Sequence, residues 1–172
     1  LALAKALNAD VITTRYEEEN TYAEFKDIKV IQLGRLLEAK GLLHLEAAVR
    51  FFLSNFFYRK YDCYIFSGTW CLFAAPGHHP SLWYCHTPTR MFYDLYDEVA
   101  SRFSFPKRLL FKLWVCLMRP LDREMVRCIG TIVCNSKNTQ SRVKKYHGRE
   151  AEIIYPPVDC KKYRSGKTGD SL

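Results

Sequence analysis

The sequence predicts an α/β domain built on a parallel sheet with helices on both faces. Two observations carry this. Short β-branched or apolar segments alternate with longer segments of helical spacing along the chain, and several of the short segments are nearly continuous apolar runs. Strand–helix alternation requires crossovers between parallel strands, and a strand apolar on both sides must be covered on both faces.

The elements follow in order. "LALAKALN" has helical spacing and good helix formers. "DVITTR" (10–15) and "IKVIQL" (28–33) read as strands, with the polar "EEENTYAEF" between them as a loop. "LHLEAAVRFFLSNFFYRK" (43–60) repeats its apolar residues at helical spacing over several turns. "YDCYIFS" (61–67) is a third strand, with a turn at Gly68, and "SLWYCH" (81–86) is a fourth. "RMFYDLYDEVASRF" is expected to be helical. "PKRLLFKLWVCLMRPLDREMVRCI" reads as one long helix, with Pro106 in its first turn and a kink expected at Pro120. "TIVCNS" (131–136) is a fifth strand, "KNTQSRVKKYHG" a helix stopped by Gly148, and "AEIIYPP" (151–157) a sixth strand. The domain is expected to span 1–158, with 159–172 a polar linker or tail.

Charge is unevenly distributed. Residues 1–100 carry 10 basic against 12 acidic residues, and residues 101–172 carry 16 against 6, so the whole net charge of +8 comes from the second half. Such a half suits an anionic partner: a phosphate, an acidic membrane surface or nucleic acid. No helix-turn-helix, RNA-binding sheet motif or zinc spacing accompanies it, so no nucleic-acid partner is expected. The seven cysteines form no CxxC pair, and six of them (63, 71, 85, 116, 128 and 134) stand in apolar stretches; they are expected to be reduced and buried. His78 and His79 in "GHHP" have no clustered cysteine or acid beside them, so no metal site is expected. No apolar run is long enough to span a bilayer, and Lys5 interrupts the opening segment, which therefore does not read as a leader. A cytoplasmic location is expected.

Chemistry is expected where "SLWYCHTPTR" ends. Ligands of parallel α/β sheets bind outside the carboxyl ends of the strands. His86 stands at such an end, and Pro88 turns the chain away behind it. A histidine there either faces a cleft or caps a loop. The helix from Pro106 presents a similar choice. Arg108, Lys112 and Arg119 fall near one stripe, with Trp114 and several leucines around the rest. That pattern fits an amphipathic helix in a membrane interface, and equally a helix packed on the sheet with its basic side chains reaching outward.

"TIVCNSKNTQSRVKKYHGREAEIIYPPVDCKKY" (131–163) and "YCHTPTRMFYDLYD", in this order and spacing, resemble the N-terminal, acceptor-side domain of family 4 retaining glycosyltransferases of the GT-B fold. The second motif is similar to the acceptor-side loop of mannosyltransferase-like members. One departure is at Ile129 and Gly130, where members often carry an acidic residue. The resemblance implies a Rossmann-like half of a two-domain enzyme, preceded by a strand and glycine-rich loop and followed by a donor-binding domain with a Glu-x7-Glu motif. The isolated chain is then expected to be inactive.

The resemblance further implies that a hexose, mannose by preference, passes from a nucleotide sugar such as GDP-mannose to a lipid-linked or glycan acceptor. No Asp-x-Asp motif is present, so neither a metal nor another cofactor is expected. By the same resemblance His86 faces the interdomain cleft and touches the transferred sugar. Arg90 is either a phosphate or acceptor contact or a surface ion pair. Asn135 and Ser136 either contact substrate or cap the following helix. Lipid-linked acceptors would place the enzyme peripherally on the cytoplasmic face of a membrane, with Arg108, Lys112, Trp114 and Arg119 at its surface. The alternative is a non-catalytic subunit that docks on a membrane or binds an acceptor and needs a separately encoded donor domain.

Overall fold

The computed structural model describes residues 2–21, 23–34, 43–57 and 61–157. Six short strands and five α-helices alternate along them: α1 (Ala2–Ala6), β1 (Val11–Thr13), β2 (Val30–Gln32), α2 (Leu43–Ser54), β3 (Tyr64–Phe66), β4 (Ser81–Cys85), α3 (Tyr96–Ser101), α4 (Lys107–Arg127), β5 (Thr131–Cys134), α5 (Lys137–His147) and β6 (Glu152–Ile153). Every strand pair is parallel, and helices lie on both sides, as the apolar strand runs require. The strands form two sheets, β1–β2 and β3–β4–β5–β6. Tyr61 Oη donates to Asp10 Oδ2 at 2.7 Å, which ties the segment leading into β3 to the segment leading into β1.

The core lies along the four-stranded sheet. Trp83, Cys85, Ile132 and Cys134 from β4 and β5 meet Leu72, Val126, Ile129 and Val143, all buried. A second cluster is mostly aromatic: Phe92, Val115 and Met118 are enclosed by Trp70, Phe111, Trp114, Tyr93 and Tyr96. Because β4 and β5 pair in register, with Cys85 opposite Cys134, their carboxyl ends finish side by side. Gly130 lets β5 enter beside β4, since a Cβ there would come 2.9 Å from the Ser81 carbonyl oxygen. The same backbone donates to Ser81 Oγ, so glycine at the position where the family often has an acid is a packing requirement here.

Several expectations are corrected. The segment 90–103 is not one helix: a 3-10 turn at Arg90–Phe92 precedes the six-residue α3, because Tyr93 leaves helical geometry (φ −125°, ψ −98°). The polar loop after β1 contains 3-10 turns at Glu18–Asn20 and Ala23–Asp27. Residues Trp70–Gly77, read only as following a turn, form a further 3-10 segment. It is held by His78, which is 2% exposed and donates from Nδ1 to the Ala74 carbonyl at 2.6 Å. The sixth strand shrinks to two residues, since Pro156 and Pro157 cannot donate to a ladder.

α4 continues through Pro120, which sits on the exposed side, where the Cys116 carbonyl it leaves without a helix partner can bond water. Arg149 caps the end of α4, donating to the carbonyls of Val126, Arg127, Ile129 and Gly130 at 2.9–3.3 Å. Of the six cysteines expected to be buried, Cys63 and Cys116 are exposed and Cys71 and Cys128 half-buried; only Cys85 and Cys134 are enclosed, and burial pushes both thiols up. Of the helix expected over 43–60, Leu43–Ser54 forms and 55–57 are a turn, while 58–60 and the expected linker 159–172 lie outside the described residues. Among the described residues no helix is long and apolar enough to cross a membrane.

Candidate functional site

Three adjacent strand ends bring together Ser67, His86 and Asn135. β4 alternates buried and half-buried positions up to Cys85, and His86 is the first exposed residue beyond it. Its ring is fixed from two sides. Nε2 lies 3.1 Å from Ser67 Oγ, just past β3, and the Tyr84 ring stands edge-on at 5.1 Å. Tyr84 is itself anchored by a 3.2 Å bond from its hydroxyl to the Ile154 carbonyl beyond β6. The backbone is held as well, because the His86 carbonyl accepts from Thr139 Oγ1 at 3.0 Å.

Asn135 and Ser136 serve the neighbouring helix. Ser136 is the N-cap of α5, its Oγ accepting from the Thr139 amide at 3.2 Å. Asn135 Oδ1 accepts from Thr139 Oγ1 at 2.8 Å and from Ser136 Oγ at 3.2 Å. At the other end Gly148, with φ +65°, closes the helix as its C-cap. The cap places the positive end of α5 at the same edge as His86. The edge thus offers hydroxyl, imidazole and amide groups together, which suits sugar hydroxyls, and a positive helix end, which suits phosphate. Among the described residues no group of three or more His, Cys, Asp or Glu converges as a metal site. A cavity lined by Tyr16, Phe25, Ile28 and Gln32 belongs to the β1–β2 unit and shares none of these residues.

The model of Glycosyltransferase Family 4 matches residues 1–162, nearly the whole chain. The chain belongs to Glycosyltransferase Family 4. No curated protein and no solved structure gives a significant match.

In this family 4 domain Arg90 is engaged in an ion pair. Its Nε and Nη2 donate to Asp94 Oδ2 at 3.1 and 2.9 Å, and Arg142 from α5 donates to the same oxygen at 2.6 Å. Burial opposes ionisation of Asp94, but the two guanidinium groups outweigh it and hold the carboxyl below the ordinary range. Arg142 also reaches Thr87 Oγ1 at 3.1 Å, so it ties the loop after His86 to α5. Two arginines share one carboxylate, which leaves positive charge at the rim of the strand-end cluster.

The four side chains expected at a membrane surface separate. Arg108 donates to the carbonyls of Ala100, Ser101 and Phe103 and so caps the end of α3. Trp114 turns inward against Phe92 and Trp70. Arg119 lies over the rings of Tyr93 and Tyr96 at 5.7 and 5.3 Å. Lys112 is exposed, as is Arg108 despite its cap bonds, while Trp114 and Arg119 are half-buried. The exposed part of α4 carries a leucine stripe among its basic residues, with Leu109, Leu110, Leu113 and Leu117 each 57–64% exposed and Leu121 continuing it.

One buried group escaped sequence reasoning. Asp122, on the inner face of α4, is 4% exposed. Its Oδ2 accepts from Tyr93 Oη at 2.6 Å, and its Oδ1 from Thr89 Oγ1 at 3.4 Å. Burial raises its carboxyl to about 6, against the opposing pull of these bonds and of Arg123. His147 Nε2 lies 3.8 Å away, but burial and the nearby Arg123 charge lower the imidazole to about 4, so this contact is not an ion pair near neutral pH. The signal available was one of two acids, Asp122 and Glu124, in a basic, apolar helix, and only the packing partners distinguish it from a solvated one.

Proposed function

We propose that this family 4 domain is the acceptor-side half of a retaining GT-B glycosyltransferase that moves a hexose from a nucleotide sugar to a lipid-linked or glycan acceptor. The hexose is mannose and its donor GDP-mannose. The observation that carries the reading is the strand-end cluster of Ser67, His86 and Asn135 beside the N-terminus of α5. His86 hydrogen-bonds a hydroxyl of the transferred sugar, and the positive rim formed by Arg90 and Arg142 faces phosphate of the donor or acceptor. The leaving nucleotide diphosphate is met by basic groups and helix ends, so the reaction needs no metal. The leucine face of α4, flanked by Lys107, Lys112 and Arg123, rests on an anionic cytoplasmic membrane surface and brings the edge to a lipid-linked acceptor.

The test is transfer by the two-domain enzyme from a panel of nucleotide sugars to a lipid-linked acceptor, with the anomeric configuration of the product read by NMR. Mannose transferred with retention from GDP-mannose, in the presence of a chelator, is the expected result. The exposed leucine face also supports the second reading, a non-catalytic docking subunit. Vesicle binding without transfer from any nucleotide sugar would favour it.

A further inference from the structure

We propose that Asp122 is a positioning residue for the strand-end site: by accepting from Thr89 and Tyr93 it holds the segment that carries His86 and Arg90 against α4. The inference rests on the proposed function for its catalytic consequence, although the holding of the segment stands on geometry alone.

The segment after β4 has little regular structure to fix it. It leaves the sheet at His86, turns through the buried Pro88 and Thr89, and makes a single 3-10 turn at Arg90–Phe92. Its inner side is bound to Asp122 through Thr89 and Tyr93. Its outer side is bound to α5 through the Thr87–Arg142 and Asp94–Arg142 contacts. Beside the packing of Phe92 on Val115, Met118 and Trp114, Asp122 supplies the hydrogen bonds from the long helix to the loop, and both side chains it binds lie within seven residues of His86.

A buried carboxylate is a poor way to stabilise this core. Its neighbours are the neutral Cys85 from β4, His147 from α5 and the ring of Tyr93, and two cations, the Arg119 guanidinium stacked over that ring and Arg123 on α4 itself. Burial of a carboxylate without an ion-pair partner costs free energy that its hydrogen bonds offset only in part. What an apolar residue cannot do is orient two hydroxyl donors. Asp122 accepts from both with separate oxygens, which fixes the direction of the loop as well as its contact.

The experiment uses three variants. Asp122→Leu keeps the branched shape with a somewhat larger side chain and removes both acceptors, Asp122→Asn keeps an acceptor, and Tyr93→Phe removes a donor and leaves the carboxylate. Hydrogen exchange of the amides of Thr87 and Thr89–Tyr93 is measured on the chain, together with thermal melts, and kcat and KM are measured on the two-domain enzyme. Asp122→Leu and Tyr93→Phe are expected to speed exchange of these amides and to lower kcat by about tenfold or more each, with KM little changed and with β5 and α5 as protected as before. Asp122→Asn should recover most of both losses. A purely structural carboxylate predicts that Asp122→Leu leaves exchange and kcat as in the wild type, and that result overturns the proposal. If Asp122→Leu does not fold, Tyr93→Phe decides by the same two readings. If exchange changes as expected but no transfer activity exists to lower, the positioning holds and the proposed function is what fails.

Discussion

The Nε2 nitrogen of His86 lies 3.1 Å from Ser67 Oγ, so residues just past two neighbouring strands together set the orientation of one imidazole at the sheet edge. The ring is exposed and contributes little to the core. His86→Ala should therefore leave the melting temperature nearly unchanged. In the two-domain enzyme it should lower kcat by a factor corresponding to about 2–4 kcal/mol, as removal of other preorganised donors does. Ser67→Ala should cost less, since it removes only the orienting partner. Kinetics and melts on the same preparations check this, and near-normal turnover of His86→Ala would make His86 a loop cap.

Asp122 and His147 should give opposite pH dependences of stability. The Asp122 carboxyl is raised from 3.8 to about 6, so the folded chain holds a proton that the unfolded chain releases. Its contribution is present below about pH 4 and is lost as pH rises through about 6, on the order of 3 kcal/mol in total. The His147 imidazole is lowered from 6.5 to about 4, so its contribution is present above about pH 6.5 and is lost as pH falls through about 4. The two largely cancel in the wild type. His147→Gln should expose a stability that falls as pH rises from about 4 to 6, and Asp122→Asn one that falls as pH drops over nearly the same range. Urea midpoints between pH 4 and 8 test this; slopes of the same sign in both variants would contradict it.

The membrane contact should depend on leucines. Leu113→Glu and Leu117→Glu alter side chains that are 57% and 60% exposed, so folding should be kept. Sedimentation with anionic vesicles should fall sharply in both, and salt should weaken wild-type binding. Trp114→Ala should instead lower stability, because that ring is packed between Phe92 and Trp70. Undiminished vesicle binding by the glutamate variants would remove the α4 face from the interface.

Ser136 can be separated into cap and substrate contact. Ser136→Ala should destabilise the chain by about 1 kcal/mol through loss of the bond to the Thr139 amide. Ser136→Asp supplies an equally good cap and should restore the midpoint. If activity returns with it, the serine only caps α5; if stability returns and activity does not, its hydroxyl also meets substrate.

The strand-end position of His86 was legible because it depends on local facts: a buried run that ends, a proline that turns the chain, and parallel pairing that puts carboxyl ends on one edge. The N-cap at Ser136 and the stop at Gly148 were legible for the same reason, since each is satisfied within one turn of its helix. The segment 90–103 was misread as one helix because its apolar spacing is compatible with a helix. Tyr93, where the helix is interrupted, is instead bound to Asp122, 29 residues on in the chain.

By itself, then, the sequence determined the α/β class, the alternation of elements, the family motifs and the edge where chemistry belongs, because periodicity and turn residues act over a few positions. Tertiary structure alone decided which face of α4 is buried. A helix with leucines on one side and valine, methionine, tryptophan and one aspartate on the other fits the sheet either way round as a pattern. The aromatic pocket around Trp114 and the hydroxyls of Thr89 and Tyr93, 33 and 29 residues from Asp122, select the face of Val115, Met118, Asp122, Met125 and Val126 as the inner one and leave the leucines outside. Burial of a residue depends on partners distant in the chain, and those partners become neighbours only when the fold closes.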